Sequence, residues 1–322
     1  MKHLLPCLLF VCIPFLPLNA QVDWQSTNGP EGGTFWSIYH DSLYAFAADE
    51  YHFFRTNNGS DWEQFSFPNL WPIATAPTKM AAGQNFGYNI PPSLNPKFVV
   101  SYDHGSSWIE GTMPPISSNY FTTLAVCSHG IYVPDGQAGL IFKTQDDGLT
   151  WDTLIPPGQY SYELWAFEDQ LYAEWGSKFW QLMANGIDWE VVSPVFDNGD
   201  YPNTMFASDS LLFFATDHHI WASSNSGAIW TEPPVPFYYS EGDFVRIGNR
   251  IYRAGGNTGI LYTDDFGHLW HPLPIPNDFN TTDLAVANNT LLCGTYNHGI
   301  LSLDVPNNQL ISANNGLNSG HI

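Results

Sequence analysis

Six octets ending in tryptophan are spread along this chain: RTNNGSDW at Trp62, SYDHGSSW at Trp108, TQDDGLTW at Trp151, LMANGIDW at Trp189, SSNSGAIW at Trp230 and TDDFGHLW at Trp270. Their tryptophans are 46, 43, 38, 41 and 40 residues apart. A glycine-bearing turn returning at that interval means one small unit is reused. Units of this size bury their apolar faces only by stacking on one another. Trp24 lies 38 residues before Trp62 and is followed by the same kind of segment.

Upstream of each octet the chain reads as three short apolar or aromatic strands with turns between them, as in YELWAFEDQLYAEWGSKFWQL and GDFVRIGNRIYRAGGNTGILYT. The strand after the tryptophan makes four per unit. The expected fold is therefore all-β, a seven-bladed β-propeller of four-stranded antiparallel blades. Six complete units run from about Gly33 to about Pro276, and a seventh begins near Asn277, its octet decayed to LDVPNNQL. Trp24 looks like a surplus outer strand, and joining it to the seventh unit would close the ring and leave no strand edge open.

The consensus S/T-x-D/N-x-G-x-x-W resembles the Asp-box, or BNR repeat, of sialidases, sortilin-type receptors, xyloglucanase-type glycosidases and photosystem II assembly factor-like proteins. The resemblance covers nearly all of the mature chain and implies the propeller; enzymes and non-enzymes share it. Within each box the residue types have folding roles. Asp103, Asp146 and Asp265, with Asn57 and Asn225 as substitutes, are expected to accept turn amides. Gly59, Gly105, Gly148, Gly186, Gly227 and Gly267 supply positive φ. Trp62, Trp108, Trp151, Trp189, Trp230 and Trp270 bury apolar area and keep an N–H donor. A calcium loop needs several converging oxygens. One box offers one carboxylate, and the fourth has Ala184 in that place, so the boxes are read as turns and no metal is assigned.

Residues 1–20, MKHLLPCLLFVCIPFLPLNA, read as a secretory signal peptide cleaved near Ala20, which leaves 21–322 as one propeller. No later run approaches the roughly 20 apolar residues of a membrane span, so a secreted, periplasmic or cell-surface location without membrane insertion is expected. Cys127 and Cys293 remain after cleavage, in units three and seven, too far apart around a ring to bridge. The formal charge of −22 disfavours nucleic acid and anionic lipid and leaves cations, neutral glycans or basic protein patches, with a glycan or protein expected as the partner of a monomer. No cofactor is implied.

A sialidase needs three arginines from separate blades; this chain has four arginines, with Arg55 in a box and Arg246, Arg250 and Arg253 crowded into one unit. Resemblance to xyloglucanases implies a carboxylate pair between two propellers, and only one is present. Sortilin-type receptors carry a Cys-rich module that is missing here, and the assembly factors' basic patch does not suit so acidic a chain. His218 and His219 in TDHH point to opposite sides of an extended segment and do not make a metal pair.

The box turns mark one face of the ring. The links between blades and the second turns lie on the other, and they are aromatic: Trp71, Tyr120, Tyr160, Tyr162, Tyr201, Tyr238 and Tyr239 are the candidate ligand-binding residues. Just inside that rim, Glu163, Asp243 and Asp283 align at the start of innermost strands, facing the channel. They are the weak catalytic candidates. The sequence thus reads as a non-catalytic binding or scaffold propeller for a glycan or protein. A glycoside hydrolase using the channel carboxylates is the alternative. SANNGLNSGHI resembles the opening STNGPEGGTFWSI, as though a further repeat or domain began there, and its Gly-Leu-Asn-Ser resembles the linker of periplasmic sensor propellers, which makes a sensor propeller the third reading.

Overall fold

The computed structural model describes residues 37–48, 53–65, 70–84, 97–117, 123–135, 137–156, 158, 163–176, 178–196, 202–216, 219–234, 242–255, 259–273, 281–295, 299–304 and 309–311. Every regular element among them is a strand, and the strands form seven antiparallel sheets in chain order. Blade one holds β1 (Ser37–His40), β2 (Ala45–Ala48), β3 (Phe53–Thr56) and β4 (Glu63–Phe65), and blade two β5 (Leu70–Ala76), β6 (Lys79–Gln84), β7 (Lys97–Ser101) and β8 (Ile109–Gly111). Blade three holds β9 (Ala125–Cys127), β10 (Gly130–Asp135), β11 (Leu140–Thr144) and β12 (Asp152–Leu154). Blade four holds β13 (Leu164–Phe167), β14 (Gln170–Glu174), β15 (Phe179–Leu182) and β16 (Trp189–Val191). Blade five has three strands, β17 (Pro202–Ser208), β18 (Leu211–Thr216) and β19 (Ile220–Ser223). Blade six holds β20 (Phe244–Ile247), β21 (Arg250–Ala254), β22 (Ile260–Thr263) and β23 (His271–Leu273), and blade seven β24 (Thr281–Ala287), β25 (Thr290–Thr295), β26 (Ile300–Asp304) and β27 (Gln309–Ile311).

Blade five lacks a full outer strand for a local reason. Thr231 pairs with Ala222 through two backbone bonds of 2.9 Å. The next ladder position falls on Pro233, which has no N–H to give, and Pro234 follows.

The apolar core lies between blades rather than within them. Seven buried clusters each join two neighbouring blades, and alternate residues of one strand serve opposite neighbours. In β18, Leu211, Phe213 and Ala215 pack toward blade six, while Leu212 and Phe214 pack toward blade four. This is why the middle strands read as unbroken apolar runs: both faces are covered.

Blade seven takes its outer strand from its own chain, since β27 pairs with β26 at Ser302–Ile311, Leu303–Leu310 and Asp304–Gln309. The decayed octet keeps its fourth strand, and among the described residues no strand is borrowed from the N-terminal end; Trp24 lies outside them. Blades one and seven meet through packing, with Ile38, Ala45, Ala47, Phe54 and Trp62 against Ala285, Ala287, Leu292 and Ile300. Cys127 and Cys293 are buried free thiols in different clusters.

Candidate functional site

The box turns are built in two ways. In blades two, three, five and six, the hydroxyl of Ser101, Thr144, Ser223 or Thr263 accepts the amide of the box glycine at 2.8–3.0 Å. The same hydroxyl donates to Asp103, Asp146, Asn225 or Asp265 at 2.8–2.9 Å. The acceptor's Oδ1 then takes the amide four residues on, that of Ser107, Thr150, Ile229 or Leu269. The residue before each glycine, His104, Asp147, Ser226 or Phe266, also has φ near +55 to +60°. Held by the hydroxyl and amide of Thr150 and the hydroxyl of Thr144, Asp146 has its pKa lowered to about 2. Burial would raise Asp103, but the hydroxyl and amide of Ser107 outweigh it and its pKa is lowered.

Blades one and four use a form one residue shorter. There Asn58 and Asn185, immediately before the glycine, accept two amides at 2.9–3.0 Å: Ser60 and Asp61 in one case, Ile187 and Asp188 in the other. Each amide group donates to Asp61 or Asp188 at 2.7–2.8 Å. This corrects the expected acceptor in box one: Asn58 fills the role assigned to Asn57, and the hydroxyl of Thr56, three residues before Gly59 rather than four, accepts its amide at 3.0 Å. The fourth box has not lost its acceptor at Ala184, because Asn185 replaces it. Alignment on tryptophan hid the shift; the shared string N-G-x-D-W in both blades is its signature.

Five of the six glycines also bring their turn against the preceding blade. A Cβ on Gly148 would lie 2.8 Å from Phe98 of blade two, one on Gly267 would overlap Phe213 of blade five, and one on Gly59 would lie 3.0 Å from Thr290 of blade seven. Gly186 meets nothing. The indole N–H groups of Trp151 and Trp189 extend the same contact, donating to Thr112 O at 3.1 Å and Ile155 O at 3.3 Å of the blade before.

Opposite the boxes, the aromatic candidates Tyr120, Tyr160, Tyr162, Tyr201, Tyr238 and Tyr239 lie outside the described residues, as does the side chain of Trp71. Three other aromatics are described there. Phe196, in a link, packs inward on Phe214 and Trp221. Trp175 and Trp180, flanking the second turn of blade four, are half-buried with centroids 5.5 Å apart, and Trp180 Nε1 donates to Trp175 O at 3.2 Å.

At the axis, the innermost strands of all seven blades surround a cavity of about 350 Å³. Its wall mixes the partly exposed rings of Tyr39, Trp165 and Phe167 with the polar His40, Thr75 and Thr123, and Asp243 is its carboxylate among the described residues. Strand register explains the placement. Counting back four residues from the close of the first hairpin in blades three to seven gives Thr123, Glu163, Thr204, Asp243 and Asp283. The three expected carboxylates therefore belong to one ring of equivalent positions, two of which carry threonines that a search for acids passes over.

Asp243 and Asp283 come together on adjacent blades, whereas Glu163, in blade four, is exposed. Thr204 Oγ1 donates to Asp243 Oδ1 at 2.8 Å, which stitches blade five to blade six. Asp283 accepts Ile38 N of blade one at 3.2 Å and its neighbour Leu284 N at 2.7 Å, which stitches blade seven to blade one. Burial, reinforced by the Asp243 charge, pushes Asp283 well up. Burial also raises Asp243, against the pull of Thr204 and the Arg253 guanidinium. Asp243 is open to the cavity yet ringed by protein, so solvent reaches it without hydrating it as in bulk. Burial lowers His40 on the same wall.

The arginines do separate work. Arg55 binds Glu63 and donates to His104 O and Ser106 Oγ of the next blade's box at 2.9 and 2.7 Å. Arg246 reaches Asp209, Arg250 reaches Asp264, and Arg253 is fully buried beneath the Phe244 ring. His219 pairs with Glu232, and His218 lies outside the described residues. No group of three metal-ligating side chains occurs among the described residues, and they contain no helix long and apolar enough to cross a membrane.

No family model and no curated protein matches the sequence. Solved structures do. YCF48 bound to D1 peptide matches at 17% identity and TM-score 0.61, over 87% of this chain and 94% of that one. The GH74 xyloglucanase from Xanthomonas campestris matches at 16% and 0.65, over 91% of this chain and 56% of the enzyme. The extracellular domain of a putative one-component system from B. thetaiotaomicron matches at 12% and 0.61, over 87% and 39%. A peptide-bound protein, an extracellular domain and a xyloglucanase share this shape, so the likeness is one of fold: the chain is a seven-bladed β-propeller.

Proposed function

We propose that the chain is an exported, non-catalytic binding propeller of the Asp-box type that holds a glycan or a protein segment at the end of the ring opposite the box turns. The observation that carries this reading is how the axial carboxylates are used. Both oxygens of Asp283 accept backbone amides, and Asp243 accepts Thr204. They serve as bolts between blades, and the cavity that Asp243 borders offers the partly exposed rings of Tyr39, Trp165 and Phe167 beside Thr75 and Thr123, a mixed surface suited to contact. The peptide held by YCF48, a propeller of the same shape, fits such a role. The apolar leader at 1–20 supports export.

The test is a glycan and peptide array run beside a release assay on the same glycans. The expected result is retention of a ligand without released product. Turnover that disappears in Asp243→Asn or Glu163→Gln, with the fold intact, would overturn the reading in favour of a hydrolase.

A further inference from the structure

On the box face, the turns of blades three to six each lift a large apolar side chain into solvent. Leu149 is 71% exposed, Ile187 70% and Ile229 67%, and Leu269 and Phe266 are close to half exposed. The corresponding places in blades one and two are polar: Ser60 and Asp61, Ser106 and Ser107. The apolar residues therefore form an arc over four consecutive blades.

These side chains stand on turns that are already fixed. The amides of Ile187, Ile229 and Leu269 are bonded to the box acceptors Asn185, Asn225 and Asp265 at 2.8–3.0 Å, and that of Leu149 to Asp146 O at 3.2 Å. An apolar group whose backbone is tied down in advance loses little freedom on binding. Between boxes five and six, Ile229, Thr231, Phe266 and His268 line a cleft of about 200 Å³, enough for one partner side chain. Exposed carboxylates flank the arc at Asp152, Asp188, Glu190 and Asp265.

We infer that this arc is a docking surface for a protein partner that presents large apolar side chains flanked by lysine or arginine. Charge selects the occupant. A second copy of a chain with formal charge −22 would bring like charges onto the same rim, whereas a basic segment neutralises them while its apolar groups cover the arc. The surface lies opposite the ligand end proposed above, so the two sites fail or succeed separately.

The probes are three synthetic peptides, one of leucine and lysine, one of serine and lysine, and one of leucine and glutamate, titrated against the full chain by calorimetry. The leucine–lysine peptide should bind at least about tenfold more tightly than the other two. The triple variant Leu149→Ser, Ile187→Ser, Ile229→Ser should lose about tenfold with an unchanged melting temperature, since all three side chains are exposed. Val195→Ser, 84% exposed at the other end of the ring, should bind as the parent does. Equal binding of the serine–lysine peptide, an unaffected triple variant, or a self-associating parent whose dimer the triple variant abolishes would each overturn the inference.

Discussion

Substituting alanine for glycine in two boxes separates what the left-handed turn costs from what packing costs. Gly186 and Gly267 sit at equivalent places with φ of +72° and +87°, yet a Cβ on Gly186 meets nothing within 4 Å. One on Gly267 runs into the fully buried Phe213 ring and lies 2.9 Å from Ala222 Cβ. A non-glycine residue in the left-handed region costs about 1–2 kcal/mol. The stiffer unfolded chain returns about 0.4–1 kcal/mol of that. Gly186→Ala should therefore lose about 1 kcal/mol. Gly267→Ala carries the same backbone cost plus about 1–3 kcal/mol for overpacking an interface without slack, for a total of about 3 kcal/mol. In a chain of this size each kcal/mol moves the melting temperature by about 2 °C, so the variants should differ by about 4 °C in calorimetry and proportionally in urea midpoints. Equal losses would mean that the glycines serve the turn alone and that the box does not clamp its blade to the preceding one.

Asn58→Ala should destabilise the fold by about 1 kcal/mol and Asn57→Ala should be near neutral in the same urea titration, because only Asn58 accepts turn amides. Thr204→Val should cost about 1 kcal/mol by removing the hydroxyl that joins blade five to Asp243 of blade six, read as a lower urea midpoint with an unchanged m-value. The raised pKa of Asp283 means the native state holds its proton more tightly than the unfolded chain, whose carboxyl titrates near 3.9. This contribution is full below that value and is lost as pH rises toward the folded pKa. Unfolding titrations between pH 4 and 7 should show Asp283→Asn flattening that decline, and an unaltered slope would refute the assignment.

Blade count and the box face were legible in the sequence because the turn chemistry is rigid: a glycine and a tryptophan three residues apart fix where strand three ends. The acceptor was less legible. Its position slides by one residue in blades one and four, and the hydrogen-bond ladder tolerates the slide because two amides of the shorter turn still converge on Asn58 or Asn185. At the axis, Asp243 and Asp283 stood out as acids in register, but Thr204 completes the first contact through a hydroxyl, and the donor to Asp283 is a backbone amide that no sequence pattern displays. The arc of Leu149, Ile187 and Ile229 is hard to see in the sequence for a physical reason as well. Box positions read as scaffold draw attention to their buried glycine and tryptophan, while the residues between them carry the exposed surface.

The way blades one and seven meet has a consequence for how the ring assembles. Six of its seven seams join segments that are neighbours along the chain, so each can zip as soon as the next blade is made. The seventh joins Ile38 to Asp283 across 245 residues. Closing a loop of that length costs about 5 kcal/mol of chain entropy, and an apolar patch of four alanines with Phe54, Trp62, Ile38, Leu292 and Ile300, with Asp283 as its side-chain bolt, offsets that cost among the described residues. The ring is therefore a spring washer with a single split. Loading it should part the washer at that split first, leaving seven intact leaves on an open arc.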